Sequence, residues 1–408
     1  MSSYFTAGLD IGTSAIKAVV VERREKKLIP RYFHKEESSG LRRGAIVDAG
    51  EIAPLVAKTL SELKKISKHA LSNIYVNIGT SQVKAQHSRG IVAVSRADSE
   101  IYQEDVDRAI KAAEAINVGP NRMVIHNVTR EYVVDGVADI SDPLGLIGNR
   151  LEVNSMVIDA FSPHIKSVMR VAEVHGAEIG GMVLSTLAAG RAALTKKQRD
   201  LGVVIVDLGG GTTGLAVYEE NKLVGTAKFP VGAANISQDI AIGLKIPVSV
   251  AEEIKLNFGC ARSSEVPSRE SIDVRKMYPE ARGPVSRRFV ADIIESRLAE
   301  IFEFVNNEIK LTGKAGQLAG GAVLVGGGSK MPGITELVRQ ELKISTQIGL
   351  PAGDEWELED SSVAASFEDP EFITALGLVL WGNDKAAGKS SFQFPTGHIK
   401  NVFKYFLP

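Results

Sequence analysis

Apolar residues fall into two rhythms along this chain, and the places where one gives way to the other mark its elements. Short apolar runs bounded by glycine predict buried strands. One pair, Ala7 to Ile11 and Ala15 to Val21, is joined by Gly12-Thr13-Ser14. A second pair, Gly202 to Val206 and Gly214 to Tyr218, is joined through Asp207-Leu208-Gly209-Gly210-Gly211-Thr212-Thr213. A later strand, Ala322 to Val325, runs into Gly326-Gly327-Gly328-Ser329-Lys330-Met331-Pro332-Gly333 and then a helix over Ile334 to Leu342.

Between the two pairs, a strand at Gly90 to Val94 leads to Ser99, a residue type that starts helices. Val106, Ala109, Ile110, Ala113 and Ile116 then follow the helical period. Two strands, Val124 to Glu131 and Tyr132 to Asp135, precede the turn-rich Asp142 to Gly148 and a strand at Leu151 to Ala160, which together predict a small α+β module. A long amphipathic helix is predicted from Ser286 to Lys310, with Phe289, Ile293, Leu298, Phe302 and Val305 inward and Arg297, Glu300 and Asn306 outward. After Trp381 the period is lost, and Gly382 to Gly397 reads as a flexible tether. The period returns at the end. Ile399, Val402, Phe403, Phe406 and Leu407 share one face of a short helix, with Lys400, Asn401 and Lys404 on the other. Such a helix is marginal in water, so it is expected to lie on an anionic membrane surface.

The first two hairpins repeat one arrangement of strand, Asp, glycine-rich turn, Thr and strand, one copy in each half, which points to a duplicated domain. Turns of this kind let backbone N–H groups approach a phosphate, while Asp10 can hold water on Mg²⁺ and Lys17 can neutralise phosphate charge. Two facing hairpins can clamp one polyphosphate. The glycines after Val325 let a flat base lie against backbone beside a helix N-terminus. Gly382 to Ser390 imitates a P-loop but has five residues between its glycines where four are required.

Composition narrows the classes. At 408 residues the chain needs about two to four domains. With 44% hydrophobic and 24% charged residues it is globular. Lys+Arg (48) and Asp+Glu (49) cancel to a net charge of -1, which argues against nucleic acid as a partner. The single cysteine, Cys260, forms no intramolecular disulfide, which fits a reducing, cytosolic compartment, and no apolar run is long enough to span a membrane. The seven histidines form no ligand cluster and no G-x-S-x-G elbow occurs.

In this order the three glycine-rich segments resemble the phosphate and adenosine motifs of the actin-like ATPase superfamily. The resemblance implies an α/β, two-lobed fold with duplicated mixed-sheet domains, and ATP with Mg in the cleft between them. Carried over residue by residue, Asp10 and Asp207 organise the metal through water. Gly12, Thr13, Ser14, Lys17, Gly209, Gly210, Gly211 and Thr212 contact phosphates. Gly326, Gly327, Gly328 and Met331 contact the adenosine, and Glu252 and Lys255 match a helix that reaches the ribose. Relatives that hydrolyse ATP carry a Glu shortly before the second hairpin, where this chain has Ser185, and often an Asp where it has Gly214. At most slow turnover is expected, and no catalytic residue is assigned.

Within the superfamily, Arg122 to Val128, the Asp142-Pro143-Leu144-Gly145-Leu146 turn and Phe258-Gly259-Cys260-Ala261 resemble the FtsA family of bacterial cell-division proteins, over essentially the whole chain. The implied organisation is subdomain 1A at 1–83, 163–198 and 366–381; an inserted subdomain 1C at 84–162; 2A at 199–226 and 308–365; 2B at 227–307; a linker at 382–397; and an amphipathic membrane-targeting helix at 398–408. The implied partners are other copies of the chain in a filament, the membrane, later division proteins and the C-terminal peptide of FtsZ, the last received by Arg297, Glu300 and Asn306. The place is the cytoplasmic side of the plasma membrane at the septum. A small-molecule kinase of the same superfamily is the alternative, and would need a catalytic Asp beside the cleft. A chaperone-type ATPase would need a substrate domain beyond Trp381.

Overall fold

The computed structural model describes residues 4–386 and 392–393. The membrane residues expected between Ile399 and Leu407 therefore lie outside the described part of the chain.

The chain opens with an antiparallel meander, β1 (Tyr4–Ile11), β2 (Ala15–Arg24) and β3 (Lys27–Glu37), and a small hairpin, β4 (Leu41–Arg42) with β5 (Ala45–Ile46). Helix α1 (Ala49–Ile66) begins at Asp48, whose carboxylate accepts the Gly50 and Glu51 N–H groups. Strand β6 (Ile74–Ile78) then runs parallel to β1.

Next comes the module, made of β7 (Val83–Ala93), α2 (Gln103–Glu114), β8 (Arg122–Val134), β9 (Val137–Ile140) and β10 (Arg150–Phe161). Helix α2 lays Val106, Ala109, Ile110 and Ala113 on Tyr132, Val134, Leu151 and Val153. Two details differ from the sequence reading. The helix starts at Gln103, because Asp105 in its first turn accepts the Tyr102 N–H, whereas Ser99 sits upstream at φ +52° and Ile116 falls past the end. The two strands expected around Glu131 are one strand, β8. No turn-forming residue interrupts it, and the chain reverses only at Asp135-Gly136, where φ is +48° and +90°.

The chain returns to the first lobe through α3 (Ser162–Glu173), β11 (Ile179–Leu184), α4 (Ser185–Ala193) and α5 (Lys196–Leu201). A second meander follows, β12 (Val203–Leu208), β13 (Thr213–Glu219) and β14 (Lys222–Phe229). It leads into α6 (Ala233–Leu244), α7 (Val248–Phe258), the short pair β15 (Ser271–Ile272) and β16 (Val285–Ser286), and α8 (Arg287–Leu311). Then come β17 (Ala322–Val325), α9 (Ile334–Leu342), β18 (Thr346–Ile348), α10 (Ala364–Phe367), α11 (Ile373–Ala386) and β19 (Phe392–Gln393).

The two main sheets are ordered β11-β6-β1-β2-β3 and β14-β13-β12-β17-β18. Each is an antiparallel meander whose first strand continues into two parallel strands, so the duplication read from the hairpins extends to whole sheets. The unbroken apolar run of β12 follows from burial on both faces. Val203 and Ile205 pack into the core shared with the first lobe, and Val204 and Val206 into the core of the second.

On α8 the buried stripe runs through Val290, Ile294, Leu298, Ile301, Phe302, Val305 and Ile309. Phe289 is 47% exposed and Ile293 only half-buried, since Phe289 lies nearly opposite that stripe and Ile293 outside its edge. Arg297 and Asn306, expected outside, are also half-buried, and only Glu300 is fully outward. Helix α11 runs five residues beyond Trp381 and its Asp384 pairs with Arg191 at 2.7 Å, so the tether cannot begin at Gly382. Gly382 is a packing glycine: a Cβ there would meet the Tyr75 ring at 2.5 Å. Farther on, β19 adds antiparallel to β8 of the module.

Candidate functional site

The first turn follows β1 because Gly12 can close onto itself, its N–H bonding the Ala15 carbonyl at 3.1 Å. The second repeats this bond between Gly209 and Thr212 at 3.0 Å. The turns are also braced alike. Gly44, from the β4–β5 hairpin, donates its N–H to Thr13 Oγ1, and the first N–H groups of α6 bond the Gly209 and Gly210 carbonyls. The two turns meet face to face. A Cβ on Gly210 would lie 1.9 Å from Ser14 Oγ, and one on Gly211 would lie 2.7 Å from Thr13 Oγ1. Only glycine permits that approach.

Between the lobes lies a cleft of about 660 Å³. Asp10, Gly12, Thr13, Ser14 and Lys17 line it from the first lobe, and Asp207 and Gly209 to Thr212 from the second. Gly326, Gly327, Gly328 and Met331 complete the wall with Glu252 and Lys255 of α7. The topology thus brings together all the residues that the sequence marked for nucleotide. Thr13, Ser14, Gly210 and Gly211 give their N–H groups to no acceptor among the described residues, which leaves those donors for a ligand.

The β1–β2 register sets Asp10 opposite Lys17, and the ammonium donates to its carboxylate at 2.8 Å. Burial works against the charge on Lys17, but Asp10, helped by Asp207 and Glu371, outweighs it and holds that ammonium above the usual lysine range. Asp207 behaves differently. Burial pushes its carboxyl upward, Lys228 opposes that and the charge on Asp10 adds to it. On α7, Lys255 donates to Glu252 at 2.7 Å and to the Ala233 carbonyl at 3.2 Å, which fixes the pair against the start of α6.

Four residues of the site were not marked by the sequence. Asn77, at the end of β6, donates to Asp10 at 2.6 Å and accepts the Ile11 N–H at 2.8 Å. Glu371 is gripped by Lys35 and Lys330 beside the adenosine-type loop. Ser185, noted only for the carboxylate it lacks, opens α4 and accepts from the buried Lys228. Asn77 and Glu371 lie far along the chain from the residues they serve, while Ser185 and Lys228 lie on elements flanking the second hairpin, and in neither case does a motif spacing point to them. The repeat itself could have directed attention to the strand neighbouring each hairpin.

Arg297, Glu300 and Asn306 do not line the cleft. The Arg297 guanidinium is already clamped by Asp239 of α6 at 2.5 and 2.9 Å and by Glu300, while Asn306 reaches the Glu341 carbonyl at 3.5 Å.

Comparison with known proteins follows the same outline. The family model for cell division protein FtsA matches residues 204–377, and that for the SHS2 domain inserted in FtsA matches 80–159. Cell division protein FtsA of Bacillus subtilis (strain 168) is 32% identical over 397 residues, covering 97% of this chain and 88% of its own. That of Borreliella burgdorferi is 33% identical over 387 residues, covering 94% and 92%. Among solved structures, the PilM-PilN type IV pilus biogenesis complex matches with TM-score 0.66 at 17% identity, covering 92% of this chain and 98% of that one. MreB5 of Spiroplasma citri bound to ADP matches with TM-score 0.56 at 14% identity, covering 95% and 98%. At those identities the structures speak for the actin-like fold alone. Sequence agreement at about a third of positions over nearly the whole length goes further, and by it this chain belongs to the FtsA family of cell-division proteins.

Proposed function

We propose that the chain binds ATP between its two hairpins and, in that state, polymerises on the cytoplasmic face of the bacterial plasma membrane at the division septum. There it anchors FtsZ through the C-terminal peptide of that protein and recruits later division proteins. The observation that carries the reading is the meeting of two duplicated turns, with their aspartates, in one cleft.

Thr13, Ser14 and the glycines of both turns would hold the phosphates by backbone N–H groups, with Lys17 beside them as a fixed cation. Gly326 to Gly328 and Met331 would receive the base, and Glu252 and Lys255 the ribose. Among the described residues no group of three or more His, Cys, Asp or Glu forms a metal cage. Two cleft carboxylates from opposite lobes fit a hard cation that keeps most of its water, so Asp10 and Asp207 would hold Mg²⁺. When bound, that ion supplies charge neutralisation between the phosphates. Beside Asp207 stand the Ser185 hydroxyl and the Lys228 ammonium, neither suited to take a proton from an attacking water, which supports at most slow hydrolysis. Nucleotide then acts chiefly as a ligand that favours the closed, polymer-competent state.

The division into subdomains 1A, 1C, 2A and 2B belongs to the same proposal, with 1C as a contact to the next subunit and Arg297, Glu300 and Asn306 of 2B as the FtsZ side. Among the described residues no helix is long and apolar enough to cross a membrane. Attachment therefore rests on the face formed by Ile399, Val402, Phe403, Phe406 and Leu407 with Lys400 and Lys404, multiplied by assembly.

Electron microscopy of the chain with ATP on an anionic lipid monolayer tests nucleotide, polymer and membrane together. Filaments are expected with the full chain, and deletion of Ile399 to Pro408 is expected to abolish both these and co-sedimentation with anionic vesicles. Unchanged pelleting of the deletion, or no calorimetric signal with ATP, would end the reading.

A further inference from the structure

The two hairpins of the cleft share one register but differ in the residue opposite the aspartate. In the first hairpin Asp10 faces Lys17 across the β1–β2 pair. In the second the same register sets Asp207 opposite Gly214, so the cross-strand cation is missing. Its replacement comes from one strand farther out. Lys228 on β14 pairs with Gly214, and its Cγ passes 3.5 Å from where a Gly214 Cβ would stand. A side chain at 214 would crowd that route.

Lys228 is 8% exposed, lines the cleft, and has no carboxylate within ion-pair contact among the described residues. Its one hydrogen bond there goes to the Ser185 hydroxyl, which lines the same cleft as Asp207. An ammonium has three donors, so two are left over in a cleft built for an anion. The comparable outer-strand lysine of the first sheet, Lys35 opposite Lys17, is instead half-exposed and held by Glu371.

We propose that Lys228 is a polyphosphate-binding residue whose ammonium meets the terminal phosphate of a nucleoside triphosphate, so that the cleft retains nucleotide even without a divalent cation. The inference rests on the ATP reading above. Burial works against the charge on Lys228 while Asp207 and Asp10 favour it, and a phosphate beside its free donors favours that charge further, so a cation on the second lobe would replace part of the neutralisation that a metal gives in a cleft lacking it. A lysine serving only as counter-charge to Asp207 would leave the metal dependence of binding untouched.

The test is titration of the full chain with ATP by calorimetry, in magnesium and in EDTA. Wild type is expected to weaken less than about ten-fold in EDTA, and Lys228→Met about a hundred-fold, the difference being the scale of one charge-assisted hydrogen bond. Lys228→Arg is expected to restore the smaller ratio. A wild-type chain that loses about a hundred-fold in EDTA, or a Lys228→Met ratio equal to wild type, overturns the role of Lys228 and leaves ATP binding standing. No binding in magnesium either overturns both. The wild-type ratio decides the matter even where Lys228→Met does not fold.

Discussion

His126 illustrates how a single side chain carries both a structural bond and a pH response. Its Nε2 accepts the Leu184 N–H at 3.0 Å, tying β8 of the module to the junction of β11 and α4, and its ring lies 5.5 Å from that of Trp381. The bond requires the neutral ring, and burial pushes the imidazole down to about 3. Between pH 6.5 and 3 the unfolded chain therefore takes up a proton that the folded chain does not. The stability is complete above about pH 6.5 and lost as pH falls toward 3, with a slope approaching about 1.4 kcal/mol per pH unit. In urea unfolding at pH 7 and 5, wild type is expected to lose roughly 1–2 kcal/mol more than His126→Gln, which keeps an acceptor but does not titrate. Equal losses would discard the assignment. At this scale the sequence displays what is local. Asp10 and Lys17 are seven positions apart and face each other across one hairpin, so their spacing announces the pair. Asn77 and Lys228 reach the same cleft through parallel and outer strands, and their neighbours along the chain say nothing of it.

Elements were legible where a rhythm ran without interruption, as in the helix from Ile334 to Leu342 and the strands of both hairpins. They are not legible where a serine or a glycine imitates a boundary. Ser99 looked like a cap and Gly382 like the start of a tether, but capping by Asp105 and packing on Tyr75 decided otherwise. Helix α11 makes the point most sharply, because it is buried between α4 and β1 and its glycine is a requirement of that position. A Cβ on Gly377 would lie 1.9 Å from the Ala188 carbonyl, and one on Gly8 would lie 2.1 Å from that of Ala375. Gly377→Val is expected to destabilise the first lobe by about 3 kcal/mol, the upper range for overpacking. The urea midpoint of its unfolding reads this, and a change below about 1 kcal/mol would mean that α11 slides to make room.

For the molecule as a whole, duplication was visible in the two hairpins, and it organises both sheets. The closeness of the lobes was not visible, because it depends on how glycines in one turn meet hydroxyls in the other. Gly210→Val would drive a branched side chain into Ser14 and hold the turns apart. ATP affinity measured by calorimetry is expected to fall at least about ten-fold, the cost of losing one or more charge-assisted bonds to phosphate. Affinity within two-fold of wild type would mean that a ligand does not need the turns in contact.

The module grows from the first lobe, yet Lys222, the first residue of β14 in the second, reaches Asp139 on β9 at 2.5 Å. An exposed pair of this kind holds little energy. Its position gives it another consequence: together with the packing of β14 on β7, it makes the module touch the second lobe as well as the first. A change in the angle between the lobes would therefore pull on the module.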